Sequence, residues 1–150
     1  MRKISFMVVD DSTIWQKLIK NFIEKHRGWK VIAIASDGKE AVEKYKKYSP
    51  DIVTMDVEMP FMDGITAVKN ILQYDKNAYI IMVSSKGEED IIRKALLMGA
   101  KDYIIKNSDF VKWEKRFQDN LDCYIKNKRN NFINNLIKNI LFIIKKSIKL

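Results

Sequence analysis

A single cysteine, Cys123, and a single histidine, His26, serve a chain of 150 residues, and each scarcity removes a class of protein. One thiol cannot build a disulfide framework, and with one imidazole it cannot supply a zinc cluster. No run of 18 apolar residues is present, nor an Arg-rich leader, nor the apolar centre of a signal peptide. The chain therefore reads as soluble and cytoplasmic. Internal repeats are missing, and so is low-complexity sequence before residue 126. Acid is missing from one place only: residues 126–150 carry seven Lys/Arg and no Asp or Glu. The formal charge of +9 thus belongs mostly to the tail, and residues 1–125 hold 21 basic and 19 acidic groups. A basic balance points to nucleic acid or an anionic surface, and here only the tail can carry that argument.

What is present is a regular alternation. The length suits one domain with an appendage, and it suffices to bury a core. Ile4–Val9 is an apolar run of strand length ending at Asp10-Asp11. Ser12 or Thr13 then caps a helix, with Thr13 to Gln16 fitting a capping box and Ile14, Leu18, Phe22 and Ile23 as its inward stripe. Residues 31–35 form a second strand, and Asp37-Gly38 turns into a helix through Ala41, Val42 and Tyr45 that stops before Pro50. Residues 51–55 are a short stretch, apolar or β-branched after Asp51, and Met59-Pro60 and Asp63-Gly64 follow. That reads as a buried strand ending at a shaped loop, with Asp56 where the strand stops. A helix over Ile65, Val68, Ile71 and Leu72 comes next, then a strand over 79–83 ending at Ser84-Ser85. Glu88, Glu89 and Asp90 load the first turn of the following helix, where the macrodipole favours acids. Gly99 ends that helix, residues 102–106 form a fifth strand, and a last helix runs from about 108 to about 124.

Five strands alternating with five helices predict a doubly wound, five-stranded parallel sheet of the α/β class. Asp10, Asp11, Asp56, Ser84 and Lys106 then fall on one edge, where open α/β sheets bind ligands. Three neighbouring carboxylates repel one another, and a hard divalent cation removes the conflict. Magnesium suits carboxylate, water and phosphate oxygens, and without His or Cys nearby zinc does not. Lys106 offers a charge and Ser84 a hydroxyl to a phosphoryl group. Together these make a phosphoryl-transfer site whose product is an acyl phosphate on Asp56. Plainer readings exist for several residues: Asp10-Asp11 as a helix cap, Tyr103 as a packing aromatic, His26 as a helix-end residue. Cys123 and Trp113 read as packing residues.

The pieces Val9-Asp10-Asp11-Ser12, Met55-Asp56-Val57-Glu58-Met59-Pro60 with Met62-Asp63-Gly64, Val83-Ser84-Ser85, and Gly99-Ala100 through Lys106 occur in a telling order. In that order and spacing, residues 1–125 resemble a response-regulator receiver domain of two-component signalling. The likeness is strongest to chemotaxis regulators, especially the methylesterase-type receiver. It implies a flavodoxin-like (βα)5 fold and phosphorylation of Asp56 by a histidine kinase. It further implies Mg2+ held by Asp10, Asp11, Asp56 and the Glu58 carbonyl, with Lys106 and Ser84 on the phosphoryl oxygens. Ser84 and Tyr103 correspond to the family's switch pair, and Glu58 and Lys86 to positions that tune phosphate lifetime. One departure is Asn107, where the family usually carries a proline after the lysine; a cis bond before Asn costs about 3 kcal/mol, so a trans bond is expected.

Residues 126–150 read as a basic amphipathic helical tail. On a helical wheel its apolar set, Ile133, Leu136, Ile137, Ile140, Leu141, Ile143, Ile144 and Ile148, spans about 160°. Three readings compete for it: a homodimer or partner helix, an anionic membrane surface, or the remnant of a lost output domain such as a methylesterase. The residues after Tyr124 are too few for a DNA-binding or esterase domain, so output is expected from phosphorylation-dependent binding of a downstream protein. Two alternatives stand beside the receiver reading. One is a metal-dependent phosphatase of the haloacid-dehalogenase type, whose acids sit two apart on the first strand. The other is a nucleic-acid binder acting through the tail.

Overall fold

The computed structural model describes residues 3–106 and 109–148. Strand and helix alternate throughout: β1 (Ile4–Val9), α1 (Thr13–Glu24), β2 (Trp29–Ala35), α2 (Gly38–Tyr48), β3 (Ile52–Met55), α3 (Gly64–Tyr74), β4 (Ile80–Ser84), α4 (Glu89–Met98), β5 (Asp102–Ile105) and α5 (Phe110–Ile148). All pairings are parallel, in the order β2-β1-β3-β4-β5. The doubly wound α/β expectation therefore holds. Because the order reverses between β1 and β3, a crevice opens beyond their carboxyl ends. Val9 pairs with Met55 at that point, so Asp10 and Asp56 leave the sheet side by side.

β1, β3 and β4 are apolar but for Ser5, Thr54 and Ser84, because both faces of the sheet are covered. Met7, Val9, Val53, Met55, Ile80 and Met82 share a core with residues of α2, α3 and α4. The alternate positions Phe6, Val8, Ile52, Ile81 and Val83 are also buried, on the opposite face. On α1, Phe22 packs edge-on against Trp113 at 5.6 Å, and Trp15 lies 6.0 Å from the same indole.

Local expectations were met unevenly. Ser12 caps α1 by accepting from Trp15 N–H, but Gln16 does not close a capping box; its amide donates to the Asp10 carbonyl at 2.6 Å. Ile14, expected inward, is 69% exposed, and Ile19 is buried in its stead. Cys123, expected to pack, is exposed. Two compact units divide the chain, Met1–Trp113 and Glu114–Leu150. The last helix, expected to end near 124, continues unbroken to Ile148, since residues 111–148 contain no Pro or Gly. Among the described residues no helix is long and apolar enough to cross a membrane. The bond between Lys106 and Asn107 lies outside the described residues.

Candidate functional site

Three strand ends bring charge together. Asp10 follows β1 and Asp56 follows β3, joined through the Asp56 N–H, which donates to the Val9 carbonyl at 2.9 Å. Lys106 follows β5 and donates its own N–H to the Ser84 carbonyl at 2.7 Å. Its ammonium Nζ lies 2.6 Å from Asp10 Oδ2 and 3.2 Å from Asp56 Oδ2. It also sits 5.1 Å from the centre of the Trp15 ring, a cation–π position. Asp10 and Asp56 are buried, whereas Asp11 is exposed and gives the cluster an open side.

The loop after Asp56 holds that carboxylate in place. Val57 N–H donates to Asp56 Oδ1 at 2.8 Å, and Gly64 N–H returns to the Val57 carbonyl at 2.8 Å. Gly64 passes so close that a Cβ there would stand 1.7 Å from the Asp56 carbonyl oxygen. Phe61, at the tip, adopts φ +64° and is almost fully exposed.

Electrostatics set the character of the cluster. Burial pushes the Asp10 carboxyl above its ordinary value, while the Lys106 hydrogen bond and charge and the Ser12 N–H oppose it. The 2.6 Å contact to Lys106 is a buried ion pair. One ammonium contacts two of the three acids. An oxygen from each of Asp10, Asp11 and Asp56 lies within 4.8 Å of the others, and a set of hard carboxylate oxygens with one open side suits a magnesium ion.

Ser84 ends β4 at the same sheet edge, and Tyr103 lies on β5. Period-two alternation puts Ser84 in line with Ile80 and Met82, and Tyr103 shares their core. The buried Ser84 hydroxyl accepts from Lys86 N–H at 3.2 Å, and the Tyr103 hydroxyl donates to the Lys86 carbonyl at 2.7 Å. Tyr103 thus points inward, and burial pushes its phenol up. Lys86 Nζ pairs with Glu58 at 3.1 Å across the mouth, and that hydrogen bond raises the lysine above its ordinary value. Of the five residues expected at one edge, the structure brings the side chains of 10, 11, 56 and 106 into one cluster. Sequence reasoning missed Gln16, whose amide ties the Asp10 carbonyl to Ser36, and the contact of Gly64 on the Asp56 backbone.

Comparison with known proteins agrees with this geometry. Residues 6–118 match the family described as the response regulator receiver domain. The chemotaxis protein CheY of Treponema pallidum is 50% identical over 105 residues, covering 69% of this chain and 72% of that protein. A protein-glutamate methylesterase/protein-glutamine glutaminase of Oleidesulfovibrio alaskensis is 40% identical over 124 residues, which cover 77% of this chain but only 33% of the relative. Among solved structures, the CheX–CheY–BeF3–Mg2+ complex of Borrelia burgdorferi matches with TM-score 0.74 and 39% identity, over 80% of this chain and 90% of the other.

Proposed function

Because the chain belongs to the response regulator receiver domain family, chemotaxis-like in its relatives, we propose that it takes a phosphoryl group onto Asp56 from a histidine kinase and signals by binding a downstream protein. One observation carries this reading: a buried ammonium spans two carboxylates from neighbouring strand ends, with a third acid on the open side. The Asp56 carboxylate attacks phosphorus, a P–O bond forms, and the P–N bond to the donor imidazole breaks. The electron pair stays on the imidazole nitrogen, which takes up a proton. Lys106 then turns its charge from Asp56 Oδ2 to the phosphoryl oxygens, and the Ser84 hydroxyl donates to another. Asp10, Asp11, Asp56 and the Glu58 carbonyl would hold Mg2+, which would neutralise the charge gathered on those oxygens. The adjacent acids of β1 and the acceptor on β3 do not fit the haloacid-dehalogenase arrangement, and no enzymatic activity beyond phosphoryl transfer and its own hydrolysis is assigned.

Ser84 and Tyr103 form the switch, and Lys86 links them, since its N–H and carbonyl engage their two hydroxyls. A ligand of Ser84 biases Tyr103 through that short segment. The reader surface lies beside it, where Leu97 and Ile105 are exposed. The reading places the protein in the cytoplasm, where such kinases present their phosphohistidine.

Treating the full chain with acetyl phosphate and Mg2+ tests the chemistry. Intact mass is expected to rise by one phosphate in the wild type and by none in Asp56→Asn; phosphate on the variant would overturn the assignment. A second expectation concerns lifetime. The Lys86–Glu58 pair obstructs the line of an attacking water, so Lys86→Ala should shorten the acyl phosphate's life by up to about tenfold. An unchanged dephosphorylation rate would remove that role.

A further inference from the structure

We propose that the second unit lies along an anionic lipid surface through the exposed apolar face of α5. Phe132, Ile133, Leu136, Ile137, Ile140 and Leu141 are between 41% and 69% exposed. At 100° per residue they occupy one half of the helix, while Asn134, Asn135, Lys138 and Asn139 occupy the other. Two facts choose the occupant. The first is width. A two-stranded seam takes a narrow stripe, here Ile133, Leu136 and Ile140, and leaves Phe132, Ile137 and Leu141 on its shoulders in water. A planar apolar medium covers the whole half-cylinder.

The second is charge. No acid occurs beyond Asp122, whereas residues 126–150 carry seven Lys/Arg. Two copies side by side would bring two such sets together with no carboxylate on the tails to offset them. An anionic bilayer supplies the opposite charge over the whole length, and a helix with an apolar half and a basic polar half lies in the plane of such an interface. The helix has too few consecutive apolar residues to cross, so the contact is peripheral and salt-sensitive.

The test uses the full chain with sedimented vesicles of phosphatidylcholine alone or mixed with phosphatidylglycerol. Binding to the mixed vesicles is expected to exceed that to neutral ones by about tenfold or more and to weaken as salt is added. Leu136→Asp with Ile140→Asp should lower it by at least about tenfold. The same charge change on the polar half, Asn134→Asp with Asn139→Asp, should lower it less. Circular dichroism checks that both variants keep their helix, and where either loses it, single substitutions Ile140→Ser and Asn139→Ser replace the pairs. Failure of the wild type to sediment with anionic vesicles would overturn the proposal. So would equal losses in the two variants, a tail-dependent dimer by light scattering in the presence of vesicles, or preferential binding of duplex DNA. Asp56→Asn should bind vesicles like the wild type, so this test and that of phosphoryl acceptance fail independently.

Discussion

Lys106→Met is expected to be about 3 kcal/mol less stable than the wild type at pH 7 when divalent cations are chelated, a loss of about 10 °C in Tm. Methionine keeps most of the side chain's volume, so the effect isolates the charge. The ammonium is buried, 2.6 Å from Asp10 and 3.2 Å from Asp56, and without it those carboxylates face each other and Asp11 uncompensated. The pH dependence follows from Asp10. Its folded-state pKa is raised above 3.8, so between that value and the raised one the folded protein keeps a proton that the unfolded chain has released. Stability falls as pH rises through that window and levels off above it. Removing Lys106 removes the influences that hold Asp10 down, so the fall deepens and reaches to higher pH. Asp10→Asn should do the reverse and stabilise the chelated protein by about 1 kcal/mol. Mg2+ at about a hundred times its Kd should return about 2.7 kcal/mol to Lys106→Met. Urea unfolding across pH, with and without the ion, measures all of this, and a variant as stable as the wild type in chelator would show that the ammonium does not hold the acids together.

Gly64→Ala should cost about 3 kcal/mol or more, for a different reason. The methyl would stand 1.7 Å from the Asp56 carbonyl oxygen and 2.8 Å from its carbonyl carbon, and no rotamer change relieves a contact with backbone. Either Asp56 or the start of α3 must move. Misplacement by about 1 Å is enough to slow an oriented reaction by about a hundredfold, so phosphate uptake should fall together with stability. Gly28→Ala is the contrast. Nothing lies within 4 Å of a Cβ there, but φ is +92°, so the cost is conformational, about 1 kcal/mol, with uptake unchanged. Urea midpoints and mass-detected phosphorylation of both variants check the pair. Wild-type stability and uptake in Gly64→Ala would mean that the loop does not brace Asp56.

The strands were easiest to anticipate, because a sheet covered on both faces must be built from largely apolar runs, and β1 and β3 have ends that punctuation makes plain. Asp10, Asp56 and Lys106 could be placed at one edge from that alone. Helix faces were harder. Periodicity relates Ile14 to Phe22 on a wheel, but Ile14, in the first turn of α1, is exposed, and Ile19 is buried instead. Gln16 had the right spacing for a capping box, and the nearby Asp10 carbonyl and Ser36 hydroxyl took its amide. The end of the last helix, expected near 124, was missed because a change in residue usage without Pro or Gly does not stop a helix.

Chain order settled the kind of site: which residue types meet at the sheet's edge, since alternation and parallel crossovers leave them nowhere else to emerge. It also settled the tail's character, because charge and helical period are local properties. Distances came only with packing. That Lys106 spans Asp10 and Asp56, that Lys86 joins Ser84 to Tyr103 and that Gly64 touches the backbone of Asp56 are relations that packing sets, whether the residues are near or far along the chain. Such relations depend on how strands and loops settle against one another in three dimensions, to within an ångström, and no local pattern encodes that.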